Sequence, residues 1–109
     1  MAGLLAGLAA ARHGATVALV QDRPLLGGNA SSEIRMHICG AHGANRRETG
    51  ILEELLLENH YRNPQPNYSI WDSVLYGSAQ YQENVALFLN CTVNECTMAG
   101  QTVTSVSGW

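Results

Sequence analysis

The residues able to do chemistry fall in two neighbouring stretches. The first runs Gln21-Asp22-Arg23-Pro24-Leu25-Leu26-Gly27-Gly28-Asn29-Ala30-Ser31-Ser32. Paired glycines allow positive φ and let a ligand come close to the backbone. Asn29, Ser31 and Ser32 add small groups able to donate to phosphate or hydroxyl oxygens. The same letters also suit a plain turn capped by Asn and Ser. The second stretch carries Arg35, His37, Cys39, His42 and Arg47. A guanidinium holds a carboxylate or stabilises developing negative charge, and an imidazole passes a proton near neutral pH. The competing role for each is to brace a loop or to face solvent.

Two other chemistries are weaker. His37-x-Cys39-x-x-His42 contains ligand types that suit zinc or iron. It lacks a fourth ligand and matches none of the common structural spacings, so no metal is expected. Ser31-Ser32 with a distant His lacks the G-x-S-x-G elbow of a hydrolase.

These residues need a scaffold, and the flanking sequence describes one. Residues 2–13 read as an Ala- and Leu-rich helix, closed by Gly14 at a C′ position. Gly3 and Gly7 lie one turn apart on one face, where a sheet or a ligand can approach the backbone. Residues 16–21 read as a strand whose carboxyl end leads into Gln21-Asp22. Residues 33–39 alternate polar and apolar side chains and predict a half-buried strand, with Arg35 and His37 on one face. Asn45 and Glu48 have capping-box spacing. The helix they predict carries Ile51, Leu52, Leu55 and Leu56 on one face and ends near Arg62, before Pro64. Ser69 with Asp72 predicts the start of another helix, broken at Gly77 and finished near Tyr81. Asn84–Val93 predicts a strand, and residues 95–98 and 102–107 predict a hairpin.

Helix, loop and strand make the second half of a βαβ unit, and a parallel sheet needs a partner strand. No strand precedes the first helix. The predicted class is therefore α/β, an incomplete doubly wound fold lacking its first strand, with a short C-terminal β-hairpin.

Composition narrows the function classes. The chain has 109 residues, is 46% hydrophobic and 14% charged, and carries a formal net charge of -3. This is an ordinary globular composition, with no basic footprint for nucleic acid and no basic stripe for a membrane surface. The first apolar run is too short to span a bilayer, which needs about 20 residues, and no basic region precedes it as in a signal peptide. Three cysteines without C-x-x-C argue against a disulfide framework and fit a reducing, cytoplasmic setting.

Taken in order, Gly3, the strand through Val17–Val20 and the loop Arg23-Pro24-Leu25-Leu26-Gly27-Gly28-Asn29-Ala30-Ser31-Ser32-Glu33 resemble the FAD-dependent oxidoreductases of the glutathione-reductase-like Rossmann group. The resemblance is to the branch with an R-P-x-L-G-G-N-A-S-S-E loop. Arg47-Glu48-Thr49-Gly50, Glu58-Asn59, Arg62-Asn63-Pro64, Trp71-Asp72 and Leu89-Asn90 extend it over nearly the whole chain. It implies an FAD cofactor and a small-molecule substrate. Gly3 then corresponds to the third glycine of G-x-G-x-x-G, the first two lying before residue 1. Gln21 or Asp22 stands where the ribose is bound, and the polar stretch runs on through Arg23. Gly27, Gly28, Asn29, Ser31 and Ser32 form the second cofactor loop, and Val93 ends the strand beside adenine. Arg35, His37 and His42 become candidates for the substrate end of the flavin.

The implied unit, residues 1–109, is a partial FAD/NAD(P)-binding domain without its first strand or a substrate domain. Such a piece is expected to bind FAD weakly or not at all and to expose a sheet edge open to self-association. The competing reading is a non-catalytic adenine-nucleotide-binding or interaction module.

Overall fold

The computed structural model describes residues 1–41 and 43–109. Helix α1 (Ala2–Arg12) follows the Ala- and Leu-rich run. It ends at Gly14, whose φ is +91°. The Gly14 amide donates to the Ala11 carbonyl and the Ala15 amide to the Ala10 carbonyl, the two bonds of a Schellman close. Strand β1 (Val17–Gln21) follows directly. A loop with one 3₁₀ turn at Gly28–Ala30 leads on to α2 (Gly50–Arg62) and α3 (Tyr68–Gln80). Strand β2 (Val85–Leu89) then returns beside β1. Strands β3 (Val93–Ala99) and β4 (Thr102–Gly108) form the hairpin.

β1 and β2 pair in parallel, from Val17 opposite Val85 to Gln21 opposite Leu89. This two-stranded sheet lies against the helices. At Gly7 an added Cβ would sit 3.5 Å from Leu19 Cδ1 and 3.6 Å from Val17 Cγ1, so α1 meets β1 through this glycine. The core joins Leu4 and Leu8 of α1 to Leu26, Leu55 and the α3 residues Trp71, Val74, Leu75 and Ala79. Its apolar burial supplies the main favourable term, about 25 cal/mol per Å² removed from water.

Helices α2 and α3 are joined by a single amide. Buried Asn63 donates through Nδ2 to Asn59 Oδ1 (3.0 Å) and to the Asn67 carbonyl (2.9 Å), and its Oδ1 accepts from the Asn67 amide (2.9 Å). That arrangement fixes the bend between the two helices. β3 and β4 pair antiparallel across a turn at Gly100-Gln101, and every residue of both strands is exposed.

Several expectations change. Residues 33–39 form no strand. Arg35 has φ of +61°, which no strand tolerates. The Arg35 and Met36 amides are tied back to the Ser31 and Asn29 carbonyls, and among the described residues no second strand lies alongside. The alternation there reflects a surface loop, so Arg35 and His37 do not share a strand face. Asn45 and Glu48 do not cap α2. Asn45 has φ of +59°, and the helix begins after Thr49. Asn67 caps α3, accepting from the Ser69 amide at 2.8 Å, because Asp72 is turned inward instead. Gly77 continues α3 unbroken. The strand read as 84–93 stops at Leu89, since Asn84 and Asn90 have φ of +63° and +56°. No helix among the described residues is long and apolar enough to cross a membrane.

Candidate functional site

The carboxyl end of β1 is where the predicted residues converge. The helix α1 begins beside it. Its first-turn amides have no acceptor one turn back, and no side chain caps them. The Met1 amino group donates to the Gly27 carbonyl at 3.2 Å, which brings the start of α1 against the glycine pair. An added Cβ at Gly3 would meet nothing within 4 Å, and one at Gly28 only Met1 N at 3.9 Å. The edge therefore offers unpaired N–H groups, the positive end of a helix dipole and two glycines facing open space. That is the combination that receives a phosphate or pyrophosphate.

The two glycines serve different ends. Gly28, with φ of +58°, leaves the surface of the loop bare. Gly27, with φ of +105°, lets the loop drop onto α3. A Cβ there would fall 2.6 Å from Leu75 Cδ1. The loop is then held from α3 by Trp71 and Asp72. Trp71 Nε1 donates to the Ala30 carbonyl at 2.8 Å, and Asp72 Oδ1 accepts from the Ser32 amide at 3.0 Å. Ser31 is fully buried (0% exposed), with Oγ donating to the Gly28 carbonyl at 2.7 Å and accepting from the Glu33 amide at 3.3 Å. Its hydroxyl is thus spent inside the loop, whereas Asn29 is exposed and Ser32 half-buried.

At the other side of the strand end, Gln21 Nε2 donates to the Leu25 carbonyl at 3.3 Å, which leaves Oε1 as its available acceptor. Asp22 is exposed, and Arg23 pairs with Glu33 at 3.6 Å. The Cys91 and Asn90 amides donate to the Gln21 and Arg23 carbonyls at 3.0 and 3.3 Å, extending the β1–β2 ladder into the loop. Asn90-Cys91, just past the carboxyl end of β2, therefore stand beside the end of β1. Val93 instead opens β3 in the separate hairpin sheet, exposed.

The second stretch is dispersed. The Arg35 guanidinium lies 5.9 Å from the Tyr68 ring centroid, and Nε donates to the Ser32 carbonyl at 3.2 Å. His37 Nε2 is 3.8 Å from Cys39 Sγ, both exposed. Arg47 pairs with Glu53 at 3.2 Å. His42 lies outside the described residues. Among the described residues no group of three His, Cys, Asp or Glu gathers as a metal site. His37 does line a half-open cavity of about 290 Å³, with Met36, Ile38, Leu56, Tyr68 and Trp71.

Sequence reasoning missed the Trp71–Asp72 clamp, giving Asp72 to a helix cap. The signal was present. Trp71, Val74 and Leu75 at i, i+3 and i+4 mark a core-facing stripe, and Asp72 lies beside it, one position from the tryptophan.

On the far side of the molecule, Arg12 Nη2 lies 2.8 Å from Glu54 Oε2, and Arg12 Nε also donates to Gln82 Oε1 at 3.2 Å. The hydrogen bond from Arg12 lowers the Glu54 carboxyl below its ordinary value, and the same bond raises Arg12. This pair ties α1 to α2 and belongs to the scaffold.

A family model described as FAD dependent oxidoreductase matches residues 1–109. No curated protein and no solved structure matches the chain. The family match spans every element that builds the edge around β1, and the chain belongs to the FAD dependent oxidoreductase family, whose cofactor is FAD.

Proposed function

We propose that this chain is the cofactor-binding portion of a Rossmann-type FAD-dependent oxidoreductase, and that the ADP half of FAD lies across the edge formed by α1, β1 and the Gly27–Ser32 loop. The observation that carries this reading is the apposition of the α1 start to the glycine pair, with Met1 N 3.2 Å from the Gly27 carbonyl and open space at Gly3 and Gly28. Bound FAD supplies electron transfer through its isoalloxazine ring, acting here on a small-molecule substrate. The chain's own residues bind and orient. The first-turn amides at Gly3 and the bare backbone at Gly28 receive the pyrophosphate. Gln21 Oε1 or the Asp22 carboxylate accepts from ribose hydroxyls. Asn29 and Ser32 supply further contacts from the loop. Ser31, Trp71 and Asp72 hold that loop in register and act as positioning residues. Arg35 and His37 stand on the following segment, toward the substrate end.

The test is a titration of the ¹⁵N-labelled chain with FAD and with ADP, read by amide shifts, which detect weak binding. Saturable shifts at Gly3, Gly27 and Gly28 are expected. Gly3→Leu should remove them without lowering the thermal midpoint, because the protein leaves that space open. Shifts confined to other residues, or none at millimolar FAD, would overturn the reading. Equal responses to FAD and ADP, with no spread beyond Ser32, would favour a non-catalytic adenine-nucleotide module instead.

A further inference from the structure

Three asparagines meet at the α2–α3 bend, and backbone groups dictate which way each side chain is turned. The Ser69 amide donates to Asn67 Oδ1 at 2.8 Å, so Nδ2 lies at the outer end of that side chain. The Asn67 amide needs an acceptor and the Asn67 carbonyl a donor. Asn63, only 7% exposed, meets both with its two ends, each at 2.9 Å. The second hydrogen of Asn63 Nδ2 then requires an oxygen, and Asn59 supplies Oδ1 at 3.0 Å. No hydrogen bond among the described residues uses Asn59 Nδ2 or Asn67 Nδ2. Both residues line the half-open cavity of about 290 Å³ between α2, α3 and the 36–38 segment.

The other polar groups of this lining add no negative charge. Trp71 Nε1 and the Tyr68 hydroxyl donate to the Ala30 and Arg35 carbonyls, at 2.8 and 2.7 Å. The His37 imidazole has Cys39 Sγ 3.8 Å from Nε2. Among the described residues no acid lines the cavity. The acids nearest in sequence are engaged elsewhere. Glu33 pairs with Arg23 and Glu58 with Arg62, while Asp72 accepts from the Ser32 amide and lines a separate cavity. One positive charge stands at the margin. The Arg35 guanidinium lies 5.9 Å from the centroid of the Tyr68 ring, and no carboxylate among the described residues pairs with it. The remaining wall is apolar, with Ile38, Leu56 and the Trp71 ring. Open to solvent, two amide donors alone hold an anion weakly, and an apolar wall alone does not select for charge. A ligand that uses the whole cavity carries an acceptor anion and a flat apolar body. The volume lies near the lower bound for small-molecule sites, which suits a single ring with a short side arm.

We propose that this cavity binds a small aryl carboxylate, with its ring against Ile38, Leu56 and Trp71 and its carboxylate on Asn59 Nδ2 and Asn67 Nδ2, in the field of Arg35. The proposal does not rest on where FAD lies, and its test uses no FAD.

Titration of the ¹⁵N-labelled chain with sodium phenylacetate should give saturable shifts at the side-chain amides of Asn59 and Asn67 and at the Trp71 indole. Acetate, which lacks the ring, and 2-phenylethylammonium, which reverses the charge, should give none at equal concentration. The neutral phenylacetamide should bind at least tenfold more weakly. Asn67→Asp keeps an oxygen for the Ser69 amide and remains a good helix cap, but puts a carboxylate where the donor was. It should fold with a thermal midpoint no lower than the parent's and bind phenylacetate at least tenfold more weakly. Equal affinity for any of the three comparison compounds, affinity unchanged in Asn67→Asp, shifts confined to other residues, or no saturable response would each overturn the proposal. If Asn67→Asp fails to fold, Asn59→Asp tests the second donor, because it keeps the oxygen that accepts from Asn63. Undiminished phenylacetate binding in that variant would count against the site.

Discussion

A Cβ at Gly27 would lie 2.6 Å from Leu75 Cδ1, whereas at Gly28 the nearest atom is Met1 N at 3.9 Å. Both residues have positive φ, so both resist substitution, but only Gly27 adds a collision with a fully buried side chain. Gly27→Ala should cost about 3 kcal/mol, combining strain and overpacking. Gly28→Ala should cost about 1 kcal/mol, from strain alone. Urea midpoints of the two variants check the order. The Arg12–Glu54 pair gives a pH-dependent prediction. The Glu54 carboxyl is lowered in the folded state by the hydrogen bond from Arg12. Its contribution is complete above the ordinary carboxylate range and is lost as pH falls through the lowered value. Both side chains are exposed, so Glu54→Gln should cost less than about 1 kcal/mol at neutral pH. That difference should shrink toward zero on acidification below about pH 4. At this scale the glycine pair was legible in the sequence, because glycine pairs report backbone needs directly. The inward turn of Asp72 was not, because a carboxylate near a helix start reads equally as a cap.

Helix α3 carries the loop, and two substitutions separate its roles. Trp71→Phe keeps most of the packing but leaves the buried Ala30 carbonyl without the indole donor. A loss of about 1–2 kcal/mol is expected, with faster amide exchange confined to residues 28–33. Gly77 is the converse case. It lies inside α3 with ordinary helical backbone, and an added Cβ would sit 3.8 Å from the Tyr81 ring. Gly77→Ala should therefore stabilise by about 0.5–1 kcal/mol, seen as a rise in thermal midpoint. The elements most legible from sequence were those with strong punctuation. α1 ends in its Gly14 close, α2 stops before Pro64, and the hairpin turns at Gly100. The misread elements were those where a pattern lacked a partner. Residues 33–39 alternate like a strand, but alternation forms a strand only where another backbone is available to pair with it.

The molecule as a whole is drawn out. Its radius of gyration is 15.6 Å and its extents are 48 × 28 × 25 Å, against about 13 Å for a compact chain of this length. The β3–β4 hairpin accounts for the difference, since it stands away from the core. Cys96 faces Val106 and Met98 faces Val103 across it, one apolar side, while Glu95 and Thr97 face Ser107 and Ser105 on the other. Among the described residues no third strand or helix covers that apolar side, and a two-stranded hairpin so placed is marginal in water. Its amides should exchange orders of magnitude faster than those of α3, and the β1–β2 pair should fall between. Comparable protection in hairpin and α3 would show that the hairpin belongs to the same cooperative unit as the core. The parallel pairing of β1 with β2 was not legible, because it depends on how α2 and α3 return the chain rather than on either strand alone.

Asn63 joins α2 to α3 through three hydrogen bonds from one side chain. Such a residue is also a point of chemical ageing, because asparagine loses its amide when the following backbone nitrogen attacks the side chain. The residue after Asn63 is Pro64, whose nitrogen carries no proton to lose. The succinimide route is closed at the one amide on which the angle between the two helices rests. On prolonged storage at mildly alkaline pH, asparagines followed by an ordinary residue should convert to aspartate while Asn63 persists, and the bend between α2 and α3 should outlast the chemistry of the surface.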